Sequence, residues 1–204
     1  MSSKSKNNFL QNNGANLFKE FFRCYGSPSS HSPAISDEIV RCQDVLPQQL
    51  LNFWQQQGFG NYADGLLWTH PPSIFNVLIE EWTGLSPNQA GLIFRSSFGD
   101  FCVWNKDRAY LLDIHVGRVD ELTRDIEFLF NYILCREQFL RDVLQLELHS
   151  QSVDRLGQLN PDECFAFVPA RALGGSGTIE TVQRVSIQEH LALLAQLVGP
   201  VTVI

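Results

Sequence analysis

At Gly91 the hydrophobic period of this chain changes from helical spacing to two, and that change limits the fold more than any other feature. From there GLIFRSSFG, FCVW and AYLLDIHVG read as strands, and the turn Asn105–Arg108 makes a hairpin of the last two. Upstream the spacing is helical. Leu46 and Pro47 open a helix with Leu50, Leu51, Phe53 and Trp54 on one stripe, and Gly58 sits where a helix end favours positive φ. His70, Pro71 and Pro72 start another, with Phe75, Leu78, Ile79 and Trp82 facing inward and Gly84 closing it.

Elsewhere the signals are coarser. Phe9 to Tyr25 reads as an N-terminal helix, Gly26–Pro33 as a loop, and FGNYADG as a turn. A short helix runs from a cap at Ser36 or Asp37 to about Asp44, and Leu66 to Trp68 is a short apolar piece. The stretch opening at Asp120, DELTRDIEFLFNYILC, is expected to be helical and to continue to about Leu148. Phe165–Val168 is a short strand, and Ser186 caps a last helix with Ile187, Leu191, Leu194 and Leu197 or Val198 inward. The expected class is α+β, an antiparallel sheet flanked by helices, with room for two closely packed subdomains.

Composition removes several functions. A chain of 204 residues, 44% hydrophobic, has enough apolar surface for a sizeable core. Its formal charge is −7, and only four of its fifteen basic residues are lysines, three of them among the first twenty residues. Such a chain is poorly suited to a phosphate backbone, which needs a basic face, and better suited to a basic protein partner. Five cysteines (24, 42, 102, 135 and 164) lie far apart without a Cys-x-x-Cys pair, which argues against a disulfide framework or a zinc site. No apolar leader precedes the polar N-terminus and no run is long enough to span a bilayer. The expectation is a cytoplasmic protein with thiols reduced, and residues 1–8 as a disordered arm.

Candidate chemistry is sparse. Asp113-x-His115 and Glu147-x-His149 each offer two metal-ligand types, but a site needs three or four that converge. No Gly-x-Ser-x-Gly elbow occurs, and the LGGSGT run (173–178) lacks the lysine of a phosphate loop. A hydrolase would have to be built from Asp113, His115 and Cys102, and a ligand pocket from Trp54, Trp68 and Tyr62. No catalytic residue, metal ligand or cofactor site is assigned.

Two segments carry a resemblance. Leu46–Trp82 has a Leu-Pro start, an aromatic helix ending in Gly-Phe-Gly, Tyr-x-Asp-Gly-Leu-x-Trp and a proline-initiated helix ending in tryptophan; Phe98-Gly99-Asp100 and Trp104 follow. This resembles the GAD-like domain. Leu156–Gly175 has Leu-Gly-x-Leu, Asp-Glu, an aromatic, Phe-Val-Pro-Ala and Leu-Gly-Gly, and with Val185–Leu197 it resembles the C-terminal domain of type VI secretion immunity proteins. Cys164 departs from a position that tends to be aromatic in that pattern. The resemblance divides the chain into residues 9–118 and 119–204. It implies a non-enzymatic protein that binds a secreted toxin, often a DNase, in a one-to-one complex. A DNase exposes a basic groove, so an acidic rim of Asp113, Asp120, Glu121, Asp125 and Glu127 is the expected partner-binding surface.

Overall fold

The computed structural model describes residues 17–203. Seven strands form one antiparallel sheet in chain order: β1 (Ser29–Ser32), β2 (Phe59–Tyr62), β3 (Leu67–Thr69), β4 (Ala90–Ser96), β5 (Phe101–Asn105), β6 (Arg108–Asp113) and β7 (Arg118–Thr123). A separate hairpin joins β8 (Glu163–Phe167) to β9 (Val182–Ser186). The helices are α1 (Lys19–Tyr25), α2 (Ser36–Cys42), α3 (Gln48–Gln57), α4 (Asn76–Thr83), α5 (Ile126–Phe128), α6 (Glu137–Asp142), α7 (Leu146–Leu156) and α8 (Ile187–Val198). Helix α5 runs straight into a π turn, Leu129–Ile133. The class is α+β, with an antiparallel sheet flanked by helices.

Period two in the sequence becomes two buried faces. Cys102, Trp104, Ala109 and Leu111 point into a core with Phe18, Phe21, Phe53, Trp54, Leu129 and Phe130. Their neighbours Phe101, Val103, Tyr110 and Leu112 point the other way, against Leu78, Ile79 and Trp82 of α4 and Leu191 and Leu194 of α8. Every residue of β4 and β5 is buried, so these strands read as apolar runs more than as alternations. A smaller third core, with Trp68, Phe98, Phe165, Phe167 and Val182, seals the sheet against the β8–β9 hairpin.

Residues after 125 therefore contribute to all three cores. Trp82 Nε1 donates to the Leu191 carbonyl at 3.1 Å, and Val201 N–H donates to the Trp82 carbonyl at 2.7 Å. On the opposite face, Asn131 Nδ2 donates to the Leu17 carbonyl at 2.6 Å.

Several elements differ from the sequence reading, each for a physical reason. Residues 118–123 form a strand, and the helix starts only after Asp125. Val119 and Leu122 pack toward opposite faces of the sheet, while Arg118, Asp120 and Glu121 are exposed on this edge strand. Charges that protect a sheet edge look, in sequence, like the acidic first turn of a helix.

The Gly26–Pro33 loop contains β1, short and wholly exposed, which makes it a polar edge strand. FGNYADG is β2 followed by a 3₁₀ turn. Gly58 (φ 69°) and Gly60 are required here, because a Cβ at either would collide with the Ser32 or Ser29 carbonyl of β1. Strand β9 escaped notice because Gln183 and Arg184 face solvent. Helical structure continues past Leu148 to Leu156. Of the expected helix from Phe9, Lys19–Tyr25 is helical, and the part before residue 17 lies outside the described residues along with the expected arm 1–8. Among the described residues no helix is long and apolar enough to cross a membrane.

Candidate functional site

An open groove of about 710 Å³ lies where three loops meet. The α2–α3 connection supplies Asp44, the β5–β6 turn supplies Asp107, and the start of α5 supplies Arg124, Asp125 and Glu127; Trp104 forms part of the floor. The turn is tight, with Lys106 (φ 47°) and Asp107 (φ 60°) both left-handed, as a two-residue hairpin loop demands. Asp125 caps α5: its Oδ1 accepts from the N–H groups of Glu127 (2.8 Å) and Phe128 (3.1 Å).

The groove is acidic because its carboxylates are unpaired. Asp44, Asp107, Asp125 and Glu127 form no ion pair among the described residues, and the groove's one arginine, Arg124, is turned to Glu121 at 3.5 Å. Beside it, α5 and the π turn expose two aromatics. Phe128 is 45% and Tyr132 58% exposed, and their rings stack at 5.0 Å with planes 12° apart. The π turn is marked by the bond from Leu134 N–H to the Leu129 carbonyl (2.9 Å), an irregularity that proteins concentrate at functional positions. Exposed, preordered aromatics next to unpaired charge are the raw material of a protein interface.

The structure distributes the five acids expected on a partner-binding rim unequally. Asp125 and Glu127 lie in the groove. Asp120 is paired with Arg118 at 2.8 Å, and Glu121 is bridged to Arg108, whose hydrogen bond holds its carboxyl below the usual range. Asp113 sits at the far end of β6, roughly 17 Å of strand from Arg108, in a separate cleft of about 200 Å³ with Asp100, Arg118 and Arg171. Asp44 and Asp107 were missed by sequence reasoning; neither belongs to a run of acids, and only the fold brings them to Asp125.

The second concentration of polar groups is buried, where residues 64–100 meet residues 149–165. Arg95 is fully buried and forms no ion pair among the described residues. Its Nε donates to His70 Nε2 (3.0 Å), Nη1 to the Ser96 carbonyl (3.2 Å) and Nη2 to the Pro161 carbonyl (3.0 Å), and the group lies 4.6 Å over the Trp68 ring. Burial brings its pKa down to about 9, and burial together with Arg95 brings His70 down to about 3.

His149 Nδ1 and Ser97 Oγ are 3.0 Å apart, with His149 Nε2 3.2 Å from the Asp64 carbonyl, and Phe165 N–H donates to the Ser97 carbonyl at 2.8 Å. Asp100 accepts from Ser96 Oγ (3.1 Å) and Ile114 N–H (3.2 Å); burial, then Asp113, raises it to about 7. This seam has the residue types of a catalytic site, yet its groups are buried and spend their hydrogen bonds on one another and on nearby backbone.

Neither alternative weighed on sequence is assembled: Asp113 Oδ1 accepts from the His115 N–H at 3.0 Å, but Cys102 does not join them. Cys102 is sealed in a core, its thiol pushed well above the usual range by burial, while the His115 ring rests on Phe98 and Phe167. Trp54 and Trp68 belong to different cores. Tyr62 lines a cleft of about 340 Å³, and its buried hydroxyl has no hydrogen-bond partner among the described residues. Of the two ligand-type pairs, Asp113 and His115 meet only through the His115 backbone N–H, while Glu147 is taken by Arg141 and His149 by Ser97. Among the described residues no three His, Cys, Asp or Glu side chains are grouped to hold a metal.

Comparison with known proteins agrees with this architecture. Residues 16–117 match the GAD-like domain, and residues 125–198 match the family described as T6SS immunity protein Tdi1, C-terminal. No curated protein matches in sequence. Among solved structures, the crystal structure of Atu4351 from Agrobacterium tumefaciens is similar in fold, with a TM-score of 0.71 at 19% identity over 88% of each chain. The buried seam lies between the two matched segments and ties one to the other. The chain belongs to the GAD-like family, and its residues 125–198 are similar to the C-terminal domain of type VI secretion immunity protein Tdi1.

Proposed function

We propose that this protein is a cytoplasmic, non-catalytic immunity protein that binds a cognate type VI effector one-to-one and neutralises it. The effector we infer is a nuclease, blocked by occupation or distortion of its DNA-binding surface. The observation that carries this reading is the groove of unpaired carboxylates beside Phe128 and Tyr132, on a chain with an immunity domain. A nuclease presents basic groups to phosphates, and the groove offers those groups carboxylates instead. The aromatics hold the complex together by burial while the acids accelerate encounter. Within the expected rim, Asp125 and Glu127 act directly, and Asp113, Asp120 and Glu121 contribute only to the long-range field.

The test is affinity purification from the native bacterium under conditions that express the secretion system, with mass spectrometry of proteins recovered in near-equal amount. Recovery of a nuclease whose activity falls on adding this chain supports the reading. Recovery of no partner contradicts it.

One observation favours a second reading, a ligand-binding module. The Tyr62 hydroxyl, without a hydrogen-bond partner among the described residues, lines a cleft where Asn61 and Asp64 supply further polar groups. A rise in melting temperature with an added nucleotide or metabolite, abolished by Tyr62→Phe, would establish it.

A further inference from the structure

Helix α1 is held in register against the chain segment that follows α5. Tyr25 Oη donates to the Leu134 carbonyl. Asn131 Oδ1 accepts from the N–H groups of Glu20 (3.1 Å) and Phe21 (3.4 Å), and its Nδ2 reaches the Leu17 carbonyl. This zipper sets Cys24 and Cys135 side by side on facing segments, each next in the chain to one partner of the Tyr25–Leu134 bond. Cys24 is exposed and Cys135 half-buried, with Cys135 Sγ also 3.3 Å from the Phe130 carbonyl. The remaining cysteines differ: Cys102 and Cys164 are buried, and Cys42 lies on α2, away from this zipper.

We propose that Cys24 and Cys135 form a redox-responsive dithiol, closing reversibly to a disulfide that clasps α1 to the segment presenting Phe128 and Tyr132. The oxidant is a small-molecule disulfide of the glutathione class. The Cys24 thiolate, after losing its proton to water, attacks one sulfur of that disulfide and expels the first small thiolate. The Cys135 thiolate, its proton also lost to water, then attacks the Cys24 sulfur and expels the second. The two expelled thiolates take up two protons. The protein loses two hydrogens, and its two electrons reside in two reduced small thiols.

Geometry sets the order. Exposure admits the oxidant to Cys24, while burial, with the neighbouring Cys24, raises Cys135 to about 12 and reserves it for the intramolecular step. Glu20, Arg23 and Tyr25 are the charged or titratable side chains around the pair, and Arg23 is held by Glu20 at 2.7 Å. With few Cys135 thiolates at neutrality, closure accelerates as pH rises. The crosslink closes a loop of roughly 110 residues, long enough to restrict the unfolded chain strongly.

The experiment incubates the fully reduced protein with glutathione disulfide at alkaline pH, followed by intact mass and non-reducing peptide mapping. The expected result is loss of two hydrogens, a Cys24–Cys135 crosslinked peptide, reversal by dithiothreitol, and a melting temperature at least ~5 °C higher when oxidised. Cys135→Ser should stop at one glutathione on Cys24, and Cys24→Ser should yield no crosslink; their reduced melting temperatures show whether each folds. A persistent glutathione adduct on wild-type Cys24, a crosslink through Cys42, or no reaction at all would overturn the proposal.

Discussion

The buried seam and the acidic groove hold the same kinds of side chain and put them to opposite uses. At the seam Arg95 is removed from water, and its hydrogen bonds go to His70 and two carbonyls; at the groove Asp44, Asp107 and Asp125 are exposed, with no cation paired to them among the described residues. Burying an ion costs several kcal/mol, so it persists only where surrounding groups satisfy it, and satisfied groups have little left to offer a ligand. Exposed carboxylates cost the fold almost nothing and keep their field for a partner. The difference teaches that in this protein a residue type says little about role until its partners are counted.

The largest expected effects lie at the seam. Arg95→Ala removes the guanidinium and leaves His70 Nε2 and the Ser96 and Pro161 carbonyls short of a donor. Urea unfolding should show a loss of about 3 kcal/mol or more. A loss comparable to that of a surface substitution would mean the seam is not what joins the two matched segments.

Acid should act on the same region. His70 is lowered to about 3, His115 and His190 to about 4, and His149 is also lowered, in each case chiefly by burial. Groups with depressed pKa contribute stability above their unfolded value near 6.5 and lose it as pH falls toward those folded values. Asp100 runs the other way: raised to about 7, it contributes fully only below its unfolded value of 3.8 and loses that contribution as pH rises through about 7. Four histidines outweigh one aspartate, so the melting temperature should drop by ~5 °C or more between pH 7 and pH 5. Asp100→Asn should be more stable than wild type at pH 8, and that advantage should vanish near pH 4. An advantage that grows on acidification would reverse the assignment.

At the groove the effects move from stability to binding. Phe128→Ala and Tyr132→Ala should each weaken the effector complex by about 1–3 kcal/mol through faster dissociation, and change unfolding by less than ~1 kcal/mol. Asp44→Asn, Asp107→Asn, Asp125→Asn and Glu127→Gln together should be the mildest for the fold, since asparagine still caps α5 at position 125. Replacing Asp113, Asp120 and Glu121 should slow association less than replacing these four, because Arg118 and Arg108 already hold two of the three.

Much of this fold was legible in the chain. The period change at Gly91, the Asn105–Arg108 turn, and the aromatic stripes of α3 and α4 are local signals, and all reappear as elements. What misled was polarity with two meanings: Arg118–Thr123 carries edge-strand charges that read as a helix start, and Ser29–Ser32 is a strand without apolar residues. The site was less legible. Asp125 and Glu127 stand in a run of acids that the sequence makes conspicuous, whereas Asp44 and Asp107 join them in the groove only through tertiary structure. Arg95 and Asp100 gave no sign of burial, since a buried charge looks in sequence like an exposed one.

The central claim is that the unpaired carboxylates of the groove steer a basic effector onto this face. Its most direct test is the association rate of the co-purified effector with wild type and with the four-acid variant, as a function of ionic strength. The account predicts that wild type associates ~10-fold or more faster at low salt, that the gap closes as salt rises, and that dissociation rates stay within about twofold of each other. Equal association rates with the same salt dependence would contradict it and move the interface to another face of the molecule.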